Sequence, residues 1–114
     1  MKFANFHLFN PQTGEYRCLD HVQYLDWPDH GVPVSATHFL DYVRFTRSLL
    51  TDDDKPILVH CSAGIGRTGA FILLDVALCL IQAGQTVNPI ALVKTMRDQR
   101  PMMVQTSVRA IISQ

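Results

Sequence analysis

A cysteine and an arginine stand at opposite ends of a short glycine-bearing segment, Cys61 to Arg67, and both residue types act on phosphate groups. The guanidinium of Arg67 offers a planar fork of N–H donors that matches two oxygens of one phosphate. Gly64, Gly66 and Gly69 permit tight curvature and a close approach of backbone N–H groups to an anion. The segment therefore predicts a phosphate-binding loop that carries a thiol.

The position of this loop also favours the ionised form of the Cys61 thiol. Ile57, Leu58 and Val59 predict a buried strand before the loop, and the apolar run that starts at Ala70 predicts a helix after it. A helix N-terminus and a nearby cation lower a thiol pKa from about 8.5 into the range of roughly 3.5 to 7.5. We therefore predict a thiolate nucleophile that accepts a phosphoryl group. The alternative is a buried core cysteine, the usual fate of an isolated one.

The chain contains, in this order, the segments Trp27 to Pro33, His60 to Thr68 and Val104 to Thr106. Together they resemble the cysteine-dependent protein tyrosine phosphatases, and specifically their tyrosine-specific branch. The run from His60 to Thr68 fits the family signature H-C-x5-R-[S/T]. The run from Trp27 to Pro33 is similar to the mobile acid loop of that branch, and the run from Val104 to Thr106 is similar to its glutamine loop. The resemblance extends from about Gln12 to Ser107.

The resemblance implies a catalytic role for five residues. Cys61 would be the nucleophile that forms a phosphocysteine, and Asp29 the general acid for the tyrosyl oxygen and then the base for the attacking water. Arg67 would bind the phosphoryl oxygens, Gln105 would position the water, and Thr68 would hydrogen-bond the departing thiolate. The phosphate would be bound by the loop residues Cys61, Ser62, Ala63, Gly64, Ile65, Gly66 and Arg67.

The other four of these residues also have ordinary structural interpretations. Arg67 by itself suits a structural ion pair. Thr68 is equally suited to capping a helix. Asp29 lies in Pro-Asp-His-Gly, which is a good turn sequence, and Gln105 by itself is compatible with an exposed surface amide. Trp27 and Gly31 favour the acid-loop interpretation of Asp29, because an aromatic anchor and a flexible residue suit a loop that closes over substrate.

The apolar and turn patterns predict an α/β fold with the order strand, strand, helix, strand, helix, helix. The expected elements are a hairpin with Gly14 in its turn and Tyr16 to Leu25 as its second strand, a helix capped by Ser35, the strand through Leu58, a helix over Thr68 to Ala83, a helix begun by Asn88-Pro89, and an exit turn over Arg97 to Pro101. The resemblance makes this a partial protein-tyrosine-phosphatase-like fold. It implies a mixed central sheet flanked by helices, with the phosphate loop between a central strand and a helix.

Composition predicts one small domain, since the chain has 114 residues with 47% hydrophobic and 18% charged side chains. Ten basic and ten acidic residues cancel, so the charge gives no indication of a nucleic-acid partner. The apolar run from Ala70 to Ile81 is interrupted by Asp75 and falls short of the roughly 20 residues that span a membrane. A nucleophilic cysteine must stay reduced, which favours a cytoplasmic location.

The sequence gives no indication of a cofactor or a metal. The alternative of a metal held by histidines with Asp26 or Asp29 lacks the helical i,i+4 or H-x-E spacing of such sites. The expected partners are proteins that contain phosphotyrosine, and the oligomeric state is left open.

The resemblance covers the C-terminal half of the family's catalytic domain, so residues 1–114 are predicted to form a partial domain without the N-terminal half and the final helix. We therefore expect weak activity from this chain alone. Three functions remain: a protein tyrosine phosphatase, a catalytically weak module that binds phosphoproteins or interferes with them, and a dual-specificity or lipid phosphatase. The complete Trp-Pro-Asp-His-Gly-Val-Pro segment favours the first over the third.

Overall fold

The computed structural model describes residues 1–27, 35–50 and 56–104. These residues form a two-stranded sheet and three helices, an α/β arrangement as predicted. Asp29 and Gln105 lie outside the described residues, as do His30 and the acidic run from Thr51 to Lys55.

The two strands, β1 (Lys2–Phe9) and β2 (Tyr16–Gln23), pair antiparallel as a hairpin. The register runs from Lys2 opposite Gln23 to Phe9 opposite Tyr16. Gly14 adopts a φ of 75° in the turn, where its N–H donates to the Asn10 carbonyl at 2.8 Å. Glycine is suited to this position because a side chain disfavours positive φ.

The helices are α1 (Ala36–Ser48), α2 (Gly66–Gln82) and α3 (Pro89–Gln99). Helix α1 begins as predicted, since the Ser35 hydroxyl accepts a hydrogen bond from the His38 N–H at 3.3 Å. The predicted start of α3 is also confirmed, because the Asn88 side chain accepts from the Ala91 N–H at 3.2 Å and Pro89 occupies the first turn.

Helix α2 is the centre of the packing, because it contributes to two buried apolar clusters. One cluster joins α2 to α1 through Phe39, Val43, Ala70 and Phe71. The other joins α2 to α3 and to the segment beyond it through Leu73, Val93 and Val104. An ion pair between Arg47 and Asp75 links α1 to α2, with the Arg47 Nε atom 3.0 Å from a carboxylate oxygen. The phosphate loop therefore leads into the best-packed helix.

The mixed central sheet is not present among the described residues, whose sheet consists of β1 and β2 alone. Residues 57–59 have no strand assignment, and the Leu58 side chain is 90% exposed. A strand exists only through backbone hydrogen bonds to a neighbour, and β1 and β2 pair only with each other in this part of the chain. The prediction of a buried central strand is therefore wrong for these residues.

Two helix boundaries also differ from the prediction. Helix α2 begins at Gly66 rather than Thr68, since the Gly69 N–H donates to the Ile65 carbonyl at 3.1 Å and closes an earlier turn. Helix α3 continues through Arg97 to Gln99, so the predicted exit turn begins only at Arg100. Among the described residues, no helix has the length and apolar character needed to cross a membrane.

Candidate active site

The loop from Cys61 to Ile65 wraps around the sulfur of Cys61. The Gly64 N–H donates to the Cys61 Sγ atom at 3.2 Å, and the Thr68 hydroxyl donates to the same sulfur at 3.1 Å. Gly64 adopts a φ of 73°, which turns the loop back on itself. Glycine populates this region without the penalty of other residues, so the backbone N–H faces the sulfur without strain.

These contacts change the acidity of the Cys61 thiol. Partial burial raises the pKa, but hydrogen bonds from the Thr68 hydroxyl and from the backbone of Thr68, Gly64 and Ala63 outweigh burial and lower it from 9.0 to about 7. The sulfur also lies in the loop that enters the N-terminus of α2, where the helix dipole favours a negative charge. A substantial fraction of Cys61 is therefore thiolate at neutral pH.

Thr68 does not cap helix α2. The N-cap residue is Ile65, which makes no side-chain capping bond, and Thr68 lies within the first turn. Its side chain is 6% exposed, and its hydroxyl is directed to the sulfur of Cys61. The threonine is therefore the buried donor for the thiolate at this site.

Arg67 lies in the first turn of α2 and is half-buried. Ser62 and Ala63 are exposed, and Gly64, Ile65 and Gly66 are half-buried. The loop residues expected to bind phosphate are thus contiguous with Cys61 at one end of α2. Trp27, the first residue of the predicted acid loop, packs edge-to-face on Phe39 with ring centroids 5.0 Å apart.

A cavity of about 780 Å³ opens beside the thiol. Its lining includes the loop residues Cys61, Ser62, Ala63 and Gly64 with Thr68, together with Leu58, Phe71, Ile72 and the Arg47–Asp75 pair. The cavity therefore combines the polar loop with apolar and charged walls. Among the described residues, no group of three or more His, Cys, Asp or Glu side chains is arranged to hold a metal ion.

Sequence reasoning missed Arg100, which follows α3 and reaches the phosphate loop. Its Nη2 atom donates to the Ala63 carbonyl at 3.3 Å, and it lines the cavity that contains Cys61. Nothing in the sequence signals this contact, because it joins residues that lie 37 positions apart.

Sequence reasoning also missed the segment of Met103 and Val104 that packs against α2. The Val104 N–H donates to the Ile65 carbonyl at 2.9 Å, while Arg97 donates to the carbonyls of Met103 and Val104 at 2.9 and 3.1 Å. Gly69 of the motif gave a partial signal, because a Cβ atom at this position would lie 2.5 Å from the Val104 backbone nitrogen.

Comparison with known proteins decides the family. The sequence profile described as protein-tyrosine phosphatase matches residues 1–112 of the 114. The chain belongs to this family. Human tyrosine-protein phosphatase non-receptor type 4 is 50% identical over 104 residues, which are 91% of this chain and 11% of the relative. Tyrosine-protein phosphatase 1 of Caenorhabditis elegans is 44% identical over 104 residues, again 91% of this chain and 10% of the relative.

A solved structure supports the same family assignment at the level of the fold. The crystal structure of the catalytic domain of human protein tyrosine phosphatase non-receptor type 18 superposes with a TM-score of 0.77 at 39% identity. The match covers 82% of this chain and 35% of that chain. The described fold is therefore part of a tyrosine phosphatase catalytic fold, and the chain spans about a tenth of the length of the first two relatives.

Proposed function

We propose that this chain hydrolyses phosphotyrosine in proteins through a phosphocysteine intermediate at Cys61. The observation that carries the proposal is the convergence of two donors on the Cys61 sulfur, the Gly64 N–H and the Thr68 hydroxyl. Donors that stabilise a thiolate at neutral pH prepare the sulfur as a nucleophile and leaving group. We also propose that residues 1–114 form part of a catalytic domain.

In the first step, the Cys61 thiolate attacks the phosphorus and the bond from phosphorus to the tyrosyl oxygen breaks. Asp29 gives its proton to that oxygen, so tyrosine leaves as a neutral phenol. Backbone N–H groups of the loop and the guanidinium of Arg67 stabilise the negative charge on the phosphoryl oxygens.

In the second step, water held by Gln105 attacks the phosphorus and gives its proton to the Asp29 carboxylate. The bond from sulfur to phosphorus breaks, which releases inorganic phosphate and regenerates the Cys61 thiolate. The Thr68 hydroxyl stabilises the thiolate as it leaves, since it already donates to that sulfur. The reaction needs neither a metal nor an oxidant, because every proton and electron pair is supplied by these groups and water.

The test is phosphate release from a phosphotyrosine peptide by the wild-type chain and by Cys61→Ser. We expect turnover by the wild type and none by the variant, because a serine hydroxyl stays protonated at neutral pH. Cys79→Ala is the matched control, since it removes an exposed cysteine of α2 that lies outside the loop, and it should retain full activity. Turnover by Cys61→Ser at the wild-type rate would exclude the covalent mechanism.

An alternative is that the loop binds phosphorylated proteins with little turnover. The exposure of Leu58 at the wall of the cavity favours this alternative, because an uncovered wall orients a substrate poorly. Binding of the phosphopeptide by the wild type without phosphate release would support it. A rate normal for enzymes, about 1 to 1,000 per second, would exclude it.

The proposed activity needs a reduced thiol at Cys61, which favours a cytoplasmic location. The cellular proposal is tested by fractionation together with the redox state of Cys61. Recovery of the chain in an oxidising compartment with Cys61 oxidised would contradict it.

A further inference from the structure

The peptide group between Ala63 and Gly64 is held from both sides. On one side the Gly64 N–H donates to the Cys61 sulfur at 3.2 Å. On the other side the Ala63 carbonyl accepts from the Arg100 guanidinium at 3.3 Å. The C=O and N–H of a trans peptide point in opposite directions, so a group that fixes the carbonyl also fixes the direction of the N–H.

Arg100 also covers the open side of Gly64. A methyl group built on Gly64 would lie 3.0 Å from the Arg100 Nη2 atom and 3.3 Å from its central guanidinium carbon. The guanidinium therefore lies against the glycine at the position where the loop reverses. The backbone of Arg100 is itself anchored, since its N–H donates to the Met96 carbonyl at 2.9 Å at the end of α3.

We propose that Arg100 is a positioning residue of the active site: by holding the Ala63 carbonyl, it keeps the Gly64 N–H directed at the Cys61 sulfur and at the phosphoryl group. The role of Arg100 towards phosphate rests on the proposed function, whereas its role towards the sulfur does not. Arginine suits this position because its guanidinium donates to the Ala63 carbonyl while the same group lies against Gly64.

Several charged groups surround the thiol, so a test of Arg100 must separate the effect of its charge from its effect on the orientation of the loop. Within the described residues, the same loop contributes His60, and Arg67 follows in α2. The other elements that line the cavity contribute the Arg47–Asp75 pair and Arg100. Arg47 is already paired with the Asp75 carboxylate. Replacing Arg100 removes both a cationic charge near the loop and the hydrogen bond to the Ala63 carbonyl. Salt distinguishes the two effects, because it screens a distant charge but leaves a backbone orientation in place.

The experiment measures the rate of Cys61 alkylation by iodoacetamide against pH in the wild type, Arg100→Ala and Lys94→Ala, with alkylation at Cys61 quantified by peptide mass spectrometry. For Arg100→Ala we expect the midpoint of the profile to rise by about one pH unit, because the thiolate loses an oriented N–H donor. The rise should persist at 1 M salt, where the screening length is about 3 Å. Lys94→Ala, which removes an exposed cation from α3, should keep the wild-type midpoint.

Two outcomes would overturn the proposal: a wild-type midpoint in Arg100→Ala, or a shift that disappears at 1 M salt. Far-UV circular dichroism and an unfolding curve show whether the variant is folded. If it is not folded, Arg100→Gln replaces it, because the glutamine side chain ends near the position of the arginine Nε and does not reach Ala63. The midpoint of the alkylation profile should rise in this variant too, and a wild-type midpoint or a shift that disappears at 1 M salt would again overturn the proposal.

Phosphatase assays separate this proposal from the proposed function. If the wild type hydrolyses phosphotyrosine peptide, kcat/KM of Arg100→Ala at pH 6 should fall about tenfold, the equivalent of one pKa unit. Arg100→Lys should restore part of that loss, since it retains a donor but not the planar group. If the wild type releases no phosphate, the proposed function fails, while the alkylation profile still decides the role of Arg100 towards the sulfur.

Discussion

The substitution Gly69→Ala tests how closely the segment of Met103 and Val104 must approach helix α2. A methyl group at position 69 would lie 2.5 Å from the Val104 backbone nitrogen and 3.1 Å from its Cα atom. Because those are backbone atoms, the clash is relieved only if the segment moves away from the helix. That movement breaks the 2.9 Å hydrogen bond from the Val104 N–H to the Ile65 carbonyl and opens the packing around a fully buried side chain.

The opposing contributions to stability give the expected magnitude. Overpacking costs about 1 to 3 kcal/mol and the lost hydrogen bond about 0.5 to 1.5 kcal/mol. Alanine recovers about 1 kcal/mol through its higher helix propensity. We therefore expect Gly69→Ala to lower the free energy of unfolding by about 0.5 to 3.5 kcal/mol. This corresponds to a fall in Tm of roughly 2 to 15 °C for a domain of this size.

The assay is urea unfolding of the wild type, Gly69→Ala and Cys79→Ala, with circular dichroism as the readout. Cys79→Ala is the matched control because it places alanine in an exposed position of the same helix, where only helix propensity changes. It should unfold at the wild-type urea concentration or slightly above it. If Gly69→Ala proves as stable as the wild type or more stable, the close approach does not constrain this helix and the reasoning from the 2.5 Å distance is refuted.

Three further predictions concern the proposed reaction. Thr68→Val should raise the pKa of Cys61 from about 7 towards its ordinary 9.0, because the thiolate loses the hydroxyl donor. As the pH is lowered, this variant should therefore lose reactivity at a higher pH than the wild type, whereas Thr68→Ser should keep the wild-type profile. Equal pH–rate profiles for the wild type and Thr68→Val would contradict the role of the hydroxyl. Asp29→Ala should lower kcat on phosphotyrosine about 10² to 10⁴-fold with little loss of affinity. The fall in kcat should be smaller on an aryl phosphate with a good leaving group, which needs less help from a general acid. Equal losses on both substrates would mean that Asp29 only shapes its loop. Arg67→Lys should lose both turnover and binding of inorganic phosphate, measured by calorimetry, because a point charge does not replace the bidentate fork, and retention of wild-type affinity would exclude that contact.

The amino-acid sequence alone determined the local elements that depend on nearby residues. Ser35 and Asn88 marked the starts of α1 and α3 because a capping side chain bonds to a backbone N–H only three residues away. Gly14 marked the hairpin turn, where the backbone takes a positive φ. The motif of Cys61 and Arg67 likewise identified the loop, because the loop chemistry depends on a short run of residues.

Contacts between distant parts of the chain were decided only by the tertiary structure. The strand predicted at Leu58 was wrong because strand formation depends on a neighbouring strand, and the described residues supply none for that segment. The hold of Arg100 on Ala63 and the approach of Val104 to Gly69 join residues that are more than thirty positions apart. Apolar periodicity and motif spacing describe what each segment prefers by itself, whereas these contacts depend on how α2 and α3 pack together. The sequence thus located the thiol, and the packing of α2 against α3 decided which distant groups hold the loop around it.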